Sequence, residues 1–333
     1  MAEGVTVTVH PRGTHLDVLA VGVTYRDLIF TGLERLPRLG EENHAVAFHE
    51  TWGGIATMAR VSRALGRRSA LCTPLGDDPM SARLVADMAD QGIDTALSRV
   101  HQGWRLPVTV ALSTASDRAM TTVEEPPPHG VSEHLDAHEV TASSIIVDLR
   151  DPALPWLTRA RTAGSKVYAS RGFDATGRWD REALGEAGIC DVWMLNELEA
   201  MAFTGASDAT QAARRLAEHV PLVVVTRGAD GMVAVDAATG EEAAVSAFPV
   251  RATGTTGAGD SSLASFAFAN GLPGLSLAER LDLTCFVVSA ILSRPLGAAD
   301  PPSADELIRL AERHPDQRAR GIAVSLASRG AQG

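Results

Sequence analysis

The chain predicts an α/β fold built on a mainly parallel sheet, with a smaller β-layer set apart from it. Three observations carry this. Short continuous apolar runs alternate with amphipathic stretches over most of the sequence, the pattern of strands covered on both faces and linked by helices. Two regions break the alternation with period-2 character instead. The length of 333 residues, 45% of them hydrophobic and 21% charged, supplies a sizeable core and excludes a disordered or fibrous chain.

In chain order, strands are expected at Leu16–Val21, Ser69–Thr73, Ile145–Asp148, Lys166–Ala169, Val192–Leu195 and Leu222–Thr226, each an apolar run of strand length. Between them, Ile55–Leu65, Met80–Gln91, Asp208–His219 and Ser276–Leu292 carry apolar residues at helical spacing. Ser276 with Glu279, and Ser303 with Glu306, have the spacing of capping boxes. The two exceptional regions are Tyr25–Trp52 and Trp104–Glu124. In the second, Val108, Val110 and Leu112 alternate with small or polar residues before a Ser116-Asp117 turn. Both are expected as lid hairpins, about 25–52 and 104–124, within one folded domain spanning 16–315. Residues 1–15 form an N-terminal extension, and 316–333, rich in Arg, Ala, Gly and Ser, a frayed tail.

Lys and Arg against Asp and Glu give 30 − 41 = −11, which argues against nucleic acid or an anionic membrane as the main partner. Of the 30 cations, 29 are arginine and one is Lys166. Val167 follows it, so no Walker A loop is present. Cys72, Cys190 and Cys285 are widely spaced and odd in number, with no disulfide framework or CxxC site. With no leader pattern at the N-terminus and no apolar run approaching the ~18 residues of a membrane span, the expected location is the cytoplasm.

The most informative segment is ATGTTGAGDSSLASFAFANG, Ala252–Gly271. Glycines punctuate a loop that feeds a helix, so the N–H groups of Gly257, Ala258 and Gly259 at a positive helix end form a place for an anion. Asp260 follows directly. A carboxylate there suits a base working beside a site that stabilises developing negative charge, the layout of phosphoryl transfer to a hydroxyl. On the loop alone, a simple helix-capping role for Asp260 competes with this reading. A Rossmann fingerprint does not fit, because the spacing is G-x-x-G-x-G and the loop comes late in the chain.

TTGAGD before a small-residue helix resembles the C-terminal signature of the PfkB/ribokinase family of carbohydrate and nucleoside kinases, and further similarities follow in family order over roughly residues 16–312. Gly22 with Asp27 is similar to the family's G-x-x-x-x-D. LGEEN, Leu39 to Asn43, resembles the segment leading into the lid, and Gly53–Gly66 the N-terminal glycine-pair signature. LGDDPMSARLVADMADQGID resembles the G-D-D-x-x-G region with Ser81 in place of glycine, LNELEAMAFTG the N-x-x-E motif, and TRGADG, Thr226 to Gly231, the nucleotide-binding turn.

The resemblance implies a three-layer α/β/α ribokinase-like core with a small β-sheet lid, and an ATP-dependent phosphotransferase acting on a hydroxymethyl group. By the same resemblance, Asp27, Gly53, Gly54 and Thr57 would bind the acceptor, and Asn196, Thr226, Gly228 and Gly231 the nucleotide. Glu199 would hold Mg²⁺ through water, Asp260 would act as base, and Gly257, Ala258 and Gly259 would form the anion hole. Gly254 stands where the family has an aspartate that helps bind a monovalent cation, and Thr57 where an asparagine is common, so potassium dependence and ribose specificity are both open. A nucleoside kinase and a non-catalytic nucleotide or sugar sensor are the competing functions. Arg26, Arg105, Arg171 and Arg227 are candidates for anion contacts, and Tyr25, Trp52 and Trp104 for stacking or for the lid's own core. The exposed edges of the lid strands can pair two copies as a homodimer.

Overall fold

The computed structural model describes residues 16–114, 118–149, 155–172, 177–179, 187–250, 256–295 and 300–327. The chain divides into two compact units, one of residues 1–63, 67–145 and 154–165, the other of 64–66, 146–153 and 166–333.

In the first unit, β1 (Leu16–Val21) pairs in parallel with β4 (Ser69–Cys72). Between them lie β2 (Thr24–Leu33), β3 (Ala47–Gly54) and helix α1 (Ile55–Ala64). Then follow β5 (Pro74–Gly76), α2 (Pro79–Asp90), β6 (Arg99–His101), β7 (Val108–Thr114) and β8 (Arg118–Val123). The period-2 regions pair as a four-stranded sheet of order β3-β2-β7-β8. Its alternation divides two faces: Ile29, Ala111 and Ser113 are buried, while Phe30, Phe48 and Leu112 stay partly or largely exposed. Trp52 and Trp104 are buried, with their indole N–H groups donating to Asp87 at 2.8 Å and the Glu125 carbonyl at 2.9 Å, so both serve packing.

In the second unit, β10 (Lys166–Ser170), β11 (Val192–Asn196) and β12 (Leu222–Thr226) are parallel, and β13 (Met232–Asp236) and β14 (Glu242–Val245) extend the sheet antiparallel. The larger sheet has the order β14-β13-β12-β11-β10 in this unit and β9-β1-β4 in the first, the boundary falling inside β9 (Ala142–Asp148). Its parallel strands β10, β11 and β12 are largely covered, which is why they read as apolar runs, and Val223, Val224 and Val225 are each 0% exposed. The remaining helices are α3 (Pro155–Thr162), α4 (Glu197–Thr204), α5 (Ala209–Leu216), α6 (Ala258–Asn270), α7 (Leu277–Leu292), α8 (Ala304–Arg313) and α9 (Arg318–Ala327). Helix α5 packs on β12 and β13, and α6 on α7, β10 and β11.

Two expectations are corrected. The segment expected to fray from 316 contains α9, whose Ala319, Ile322, Ala323 and Leu326 are buried against α7 and α8. These residues lie at i, i+3, i+4 and i+7, and because two of the four are alanines the amphipathic stripe is weak in the sequence. Arg318 fixes the helix start through Asp282 and Asp316, both at 2.7 Å. At Ser303 the box closes on one side only. Its hydroxyl accepts from the Glu306 N–H at 3.3 Å, but the Glu306 carboxylate turns to Arg294 at 2.6 Å. The Ser276–Glu279 box forms in full. Residues 1–15, Gly254 and the Ser116-Asp117 turn lie outside the described residues. Among the described residues no helix is long and apolar enough to cross a membrane.

Candidate active site

Asp27, Gly53, Gly54 and Thr57 come together in the first unit. Strands β2 and β3 pair so that Asp27 lies opposite Thr51, which puts Gly53 diagonally beside the carboxylate on the same face. A Cβ on Gly53 would sit 2.1 Å from Asp27 Oδ2, so any side chain at this position would force the carboxylate to move. Asp27 is only 7% exposed, and this burial pushes its carboxyl up to about 7, while a hydrogen bond from the Thr109 hydroxyl works in the opposite direction. Gly54 turns the chain from β3 into α1 at φ +61°. Thr57, in the first turn of α1, donates its hydroxyl to the Trp52 carbonyl at 3.0 Å and keeps its oxygen lone pairs as acceptors.

The second unit gathers the other predicted residues. Asn196 ends β11 and pairs in register with Thr226 at the end of β12, so the two stand side by side at the carboxyl edge of parallel strands. Asn196 also caps α4. Its side chain accepts from the Glu199 N–H at 2.9 Å, and Glu199 Oε2 accepts from the Asn196 N–H at 3.1 Å. Burial raises the Glu199 carboxyl above the usual range, the hydrogen bonds from Asn196 oppose this, and the Asp148 carboxylate adds to the rise. After β12, the turn over Gly228–Asp230 is closed by the Arg227 N–H donating to the Gly231 carbonyl at 2.8 Å. The Arg227 guanidinium donates to the Asp230 carbonyl at 2.8 Å, within the same turn.

Helix α6 starts differently. Gly257 is its N-cap at φ +77°, a backbone that a side chain strains, and, being glycine, it brings no side-chain cap to the first turn. Gly259 is exposed, and a Cβ there would meet nothing within 4 Å, so space lies open beside the first turn, which also carries Asp260. Behind this end the helix is buried from Ser261 to Ala269, which holds it rigidly.

Other candidates have structural partners. Arg26 pairs with Glu50 at 2.9 Å, and Glu50 also takes Arg83 at 3.1 Å. Tyr25 donates to the Glu124 carboxylate at 3.1 Å. Arg105 is exposed. In the G-D-D segment, Asp78 caps α2, and Ser81, where the family has glycine, links it to the Gly76 N–H: Ser81 Oγ donates to Asp78 at 2.9 Å and accepts from Gly76 at 2.7 Å. Three groups were passed over in the sequence. Asp148, the last residue of a strand, acts on Glu199. Thr256 Oγ1, just before Gly257, is buried and has no hydrogen-bond partner among the described residues. Thr109 reaches Asp27 from β7, and no local pattern marks it.

An α/β chain with a mainly parallel sheet and a small separate β-sheet has the ribokinase-like fold, and its glycine-capped α6 carries an aspartate in the first turn. The model of the pfkB family carbohydrate kinases matches residues 15–302, so the chain belongs to that family and is a PfkB-type kinase of a sugar or nucleoside. It is 26% identical over 292 residues to the ribokinase of Mus musculus, covering 82% of this chain and 87% of the mouse protein. The structure of Arabidopsis thaliana ribokinase complexed with ribose and ATP matches with a TM-score of 0.70 at 20% identity, over 89% of this chain and 99% of that one. A putative ribokinase II from E. coli in complex with ATP and Mg²⁺ matches with a TM-score of 0.71 at 16% identity, over 90% and 100%. These two share the fold.

Proposed function

We propose that this enzyme transfers the γ-phosphoryl group of ATP to a hydroxymethyl group of a sugar or sugar-like small molecule, with Asp260 as the base. The observation that carries the reading is the start of α6, a buried helix whose N-cap is a left-handed glycine with no side chain to occupy its first N–H groups and whose first turn bears a carboxylate. Asp260 would take the acceptor's proton as the alcohol oxygen attacks. The N–H groups of Gly257, Ala258 and Gly259 would stabilise the charge on the transferring phosphoryl group, with the Thr256 hydroxyl as a further donor.

Asp27 in its ionised form would accept hydrogen bonds from two neighbouring hydroxyls, with Gly53 and Gly54 allowing close approach and Thr57 adding an acceptor. Because its carboxyl titrates at about 7, acceptor affinity should increase from pH 6 to pH 8. Asn196, Thr226, Gly228 and Gly231 would line the nucleotide site. Glu199 and Asp148 fit a magnesium ion held mainly through water and phosphate oxygens: they are two carboxylates of like sign close enough to interact, and among the described residues no cluster of three or more ligating side chains exists. When bound, the ion neutralises polyphosphate charge.

The test is turnover of MgATP against D-ribose, D-fructose, other hexoses, adenosine, cytidine and inosine. Phosphorylation of a sugar supports the reading, and turnover with nucleosides alone replaces it with a nucleoside kinase. Binding of ATP with no turnover on any acceptor makes it a sensor. A homodimer through the small sheet is supported by that sheet's open apolar face. There the Phe30 and Phe48 rings lie 5.1 Å apart and, with Leu112, line a groove of about 560 Å³. Molar mass in solution tests it, and a monomer at all concentrations removes it.

A further inference from the structure

Strand β14 ends at Val245, whose register partner is Met232 at the start of β13. Ser246–Phe248 then carry the chain out of the sheet and belong to no strand or helix. They lie against the turn after β12: a Cβ on Gly231 would collide with the Val245 carbonyl oxygen and stand 2.6 Å from the Ala247 nitrogen. With Gly231 at φ +88°, the two backbones touch directly, and where one goes the other must follow. Past the end of the ladder, side chains of α7 and of the start of α9 hold the segment. Arg318 Nη1 donates to the Ser246 carbonyl at 2.9 Å and to Asp282 of α7 at 2.7 Å, while Nη2 and Nε donate to Asp316 at 2.7 and 3.1 Å. The guanidinium lies over the Phe248 ring at 4.3 Å. That ring is 2% exposed and meets Phe286 and His314 in T-shaped contacts at 5.2 and 5.3 Å, and Ser289 of α7 donates to the Phe248 carbonyl at 3.1 Å.

We infer that Arg318 is a positioning residue for nucleotide binding: it clamps Ser246–Phe248 against α7, and that segment holds the Gly228–Gly231 turn in the shape that takes ATP. This rests on the reading of that turn as part of the nucleotide site. The turn needs outside support. Its own bonds are short-range, from the Arg227 N–H to the Gly231 carbonyl at 2.8 Å and from the Asp230 N–H to the Arg227 carbonyl at 3.0 Å. Gly228 and Gly231 both have positive φ, and two glycines in so short a turn leave many backbone shapes open to it. Gly228–Asp230 are exposed, so the packed side of the turn is the buried Gly231 against 245–247. Arginine suits the clamp, because one planar group with five donors reaches a carbonyl, two carboxylates and an aromatic face at once, where an ammonium offers a single point of charge. The carboxylates of Asp282 and Asp316 keep the guanidinium from swinging into solvent.

The experiment compares the full-length parent with Arg318→Met, which keeps an apolar stem over Phe248 and removes every donor, at a temperature where both are folded by circular dichroism. Arg318→Met should weaken MgATP binding by calorimetry about fivefold and speed amide hydrogen exchange at Arg227, Asp230 and Gly231 about tenfold without nucleotide. Arg318→Lys should recover part of both losses. Ser289→Ala, which releases the Phe248 carbonyl, should move both the same way by less, and it carries the test if Arg318→Met fails to fold. With the best acceptor of the panel above, the ATP KM should follow the calorimetric change while the acceptor KM stays within about twofold. A role in stability alone would lower the binding stoichiometry and the turnover and leave both affinities unmoved. Unchanged MgATP affinity or unchanged exchange at the turn in folded Arg318→Met, or in folded Ser289→Ala where the first variant is lost, overturns the inference. If MgATP does not slow exchange at the turn in the parent, the reading of the turn as a nucleotide site falls instead, while the exchange comparison still decides whether Arg318 holds it.

Discussion

Two helices of the second unit begin at segments that both matched family motifs, and they begin in opposite ways. Helix α4 is closed, because Asn196 and Glu199 satisfy each other's backbone N–H groups in a reciprocal box. Helix α6 is open, with a left-handed glycine at its N-cap that has no side chain to close it, and free space at Gly259. The difference teaches how one physical resource, the positive end of a helix, serves two purposes. Where side chains occupy it, it stabilises the fold by about 1 kcal/mol. Where they are withheld, that stability is forgone and an anion can use the N–H groups.

The strongest way to break the comparison is Asp260→Asn. If the open end is the reaction centre, turnover should fall by two to four orders of magnitude while ATP binding by calorimetry stays nearly unchanged. Near-normal turnover would return Asp260 to a structural role. Next in size is Gly259→Ala. The methyl group has room in the protein and alanine favours a helix, so Tm should hold or rise while turnover drops roughly tenfold because the methyl group occupies the phosphoryl site. Unchanged turnover would mean that nothing approaches Gly259.

Asn196→Ala tests the closed end. It should lose about 1 kcal/mol of stability, read by urea unfolding, with a turnover change much smaller than that of Asp260→Asn. A collapse of turnover without loss of stability would make α4 a second open site. The smallest effect is expected at Glu199→Gln. The Glu199 carboxyl is raised in the folded protein, so the native state binds the proton more tightly than the unfolded chain and stability declines as pH rises through the interval between the two values. Glutamine removes that decline. Its Tm should exceed that of the parent slightly at pH 8, with the gap closing toward acid pH, and a gap independent of pH would contradict the assignment.

Much of the fold was legible because its signals are local. The parallel strands are apolar throughout since both faces are covered, and Leu222–Thr226 has the expected bounds. The N-x-x-E pattern at Asn196 was legible too, but ambiguous, since capping boxes and ligand-binding motifs share that spacing. Helix α9 was missed because Ala319 and Ala323 bury little area and carry weak hydrophobic signal despite helical spacing. The division into two units, with both units drawing on discontinuous stretches of chain, leaves no compositional mark at all.

What the sequence determined by itself was the period of each segment, the glycine at the α6 cap and the order of the motifs, since these depend on residues a few positions apart. What only the tertiary structure decided was the state of Asp27. Its contact with Gly53 follows from the β2–β3 register, and its hydroxyl partner arrives on β7, 82 positions away in the chain (109 − 27). Its shift toward neutrality comes from desolvation, which exists only once the strands around it have assembled and excluded water.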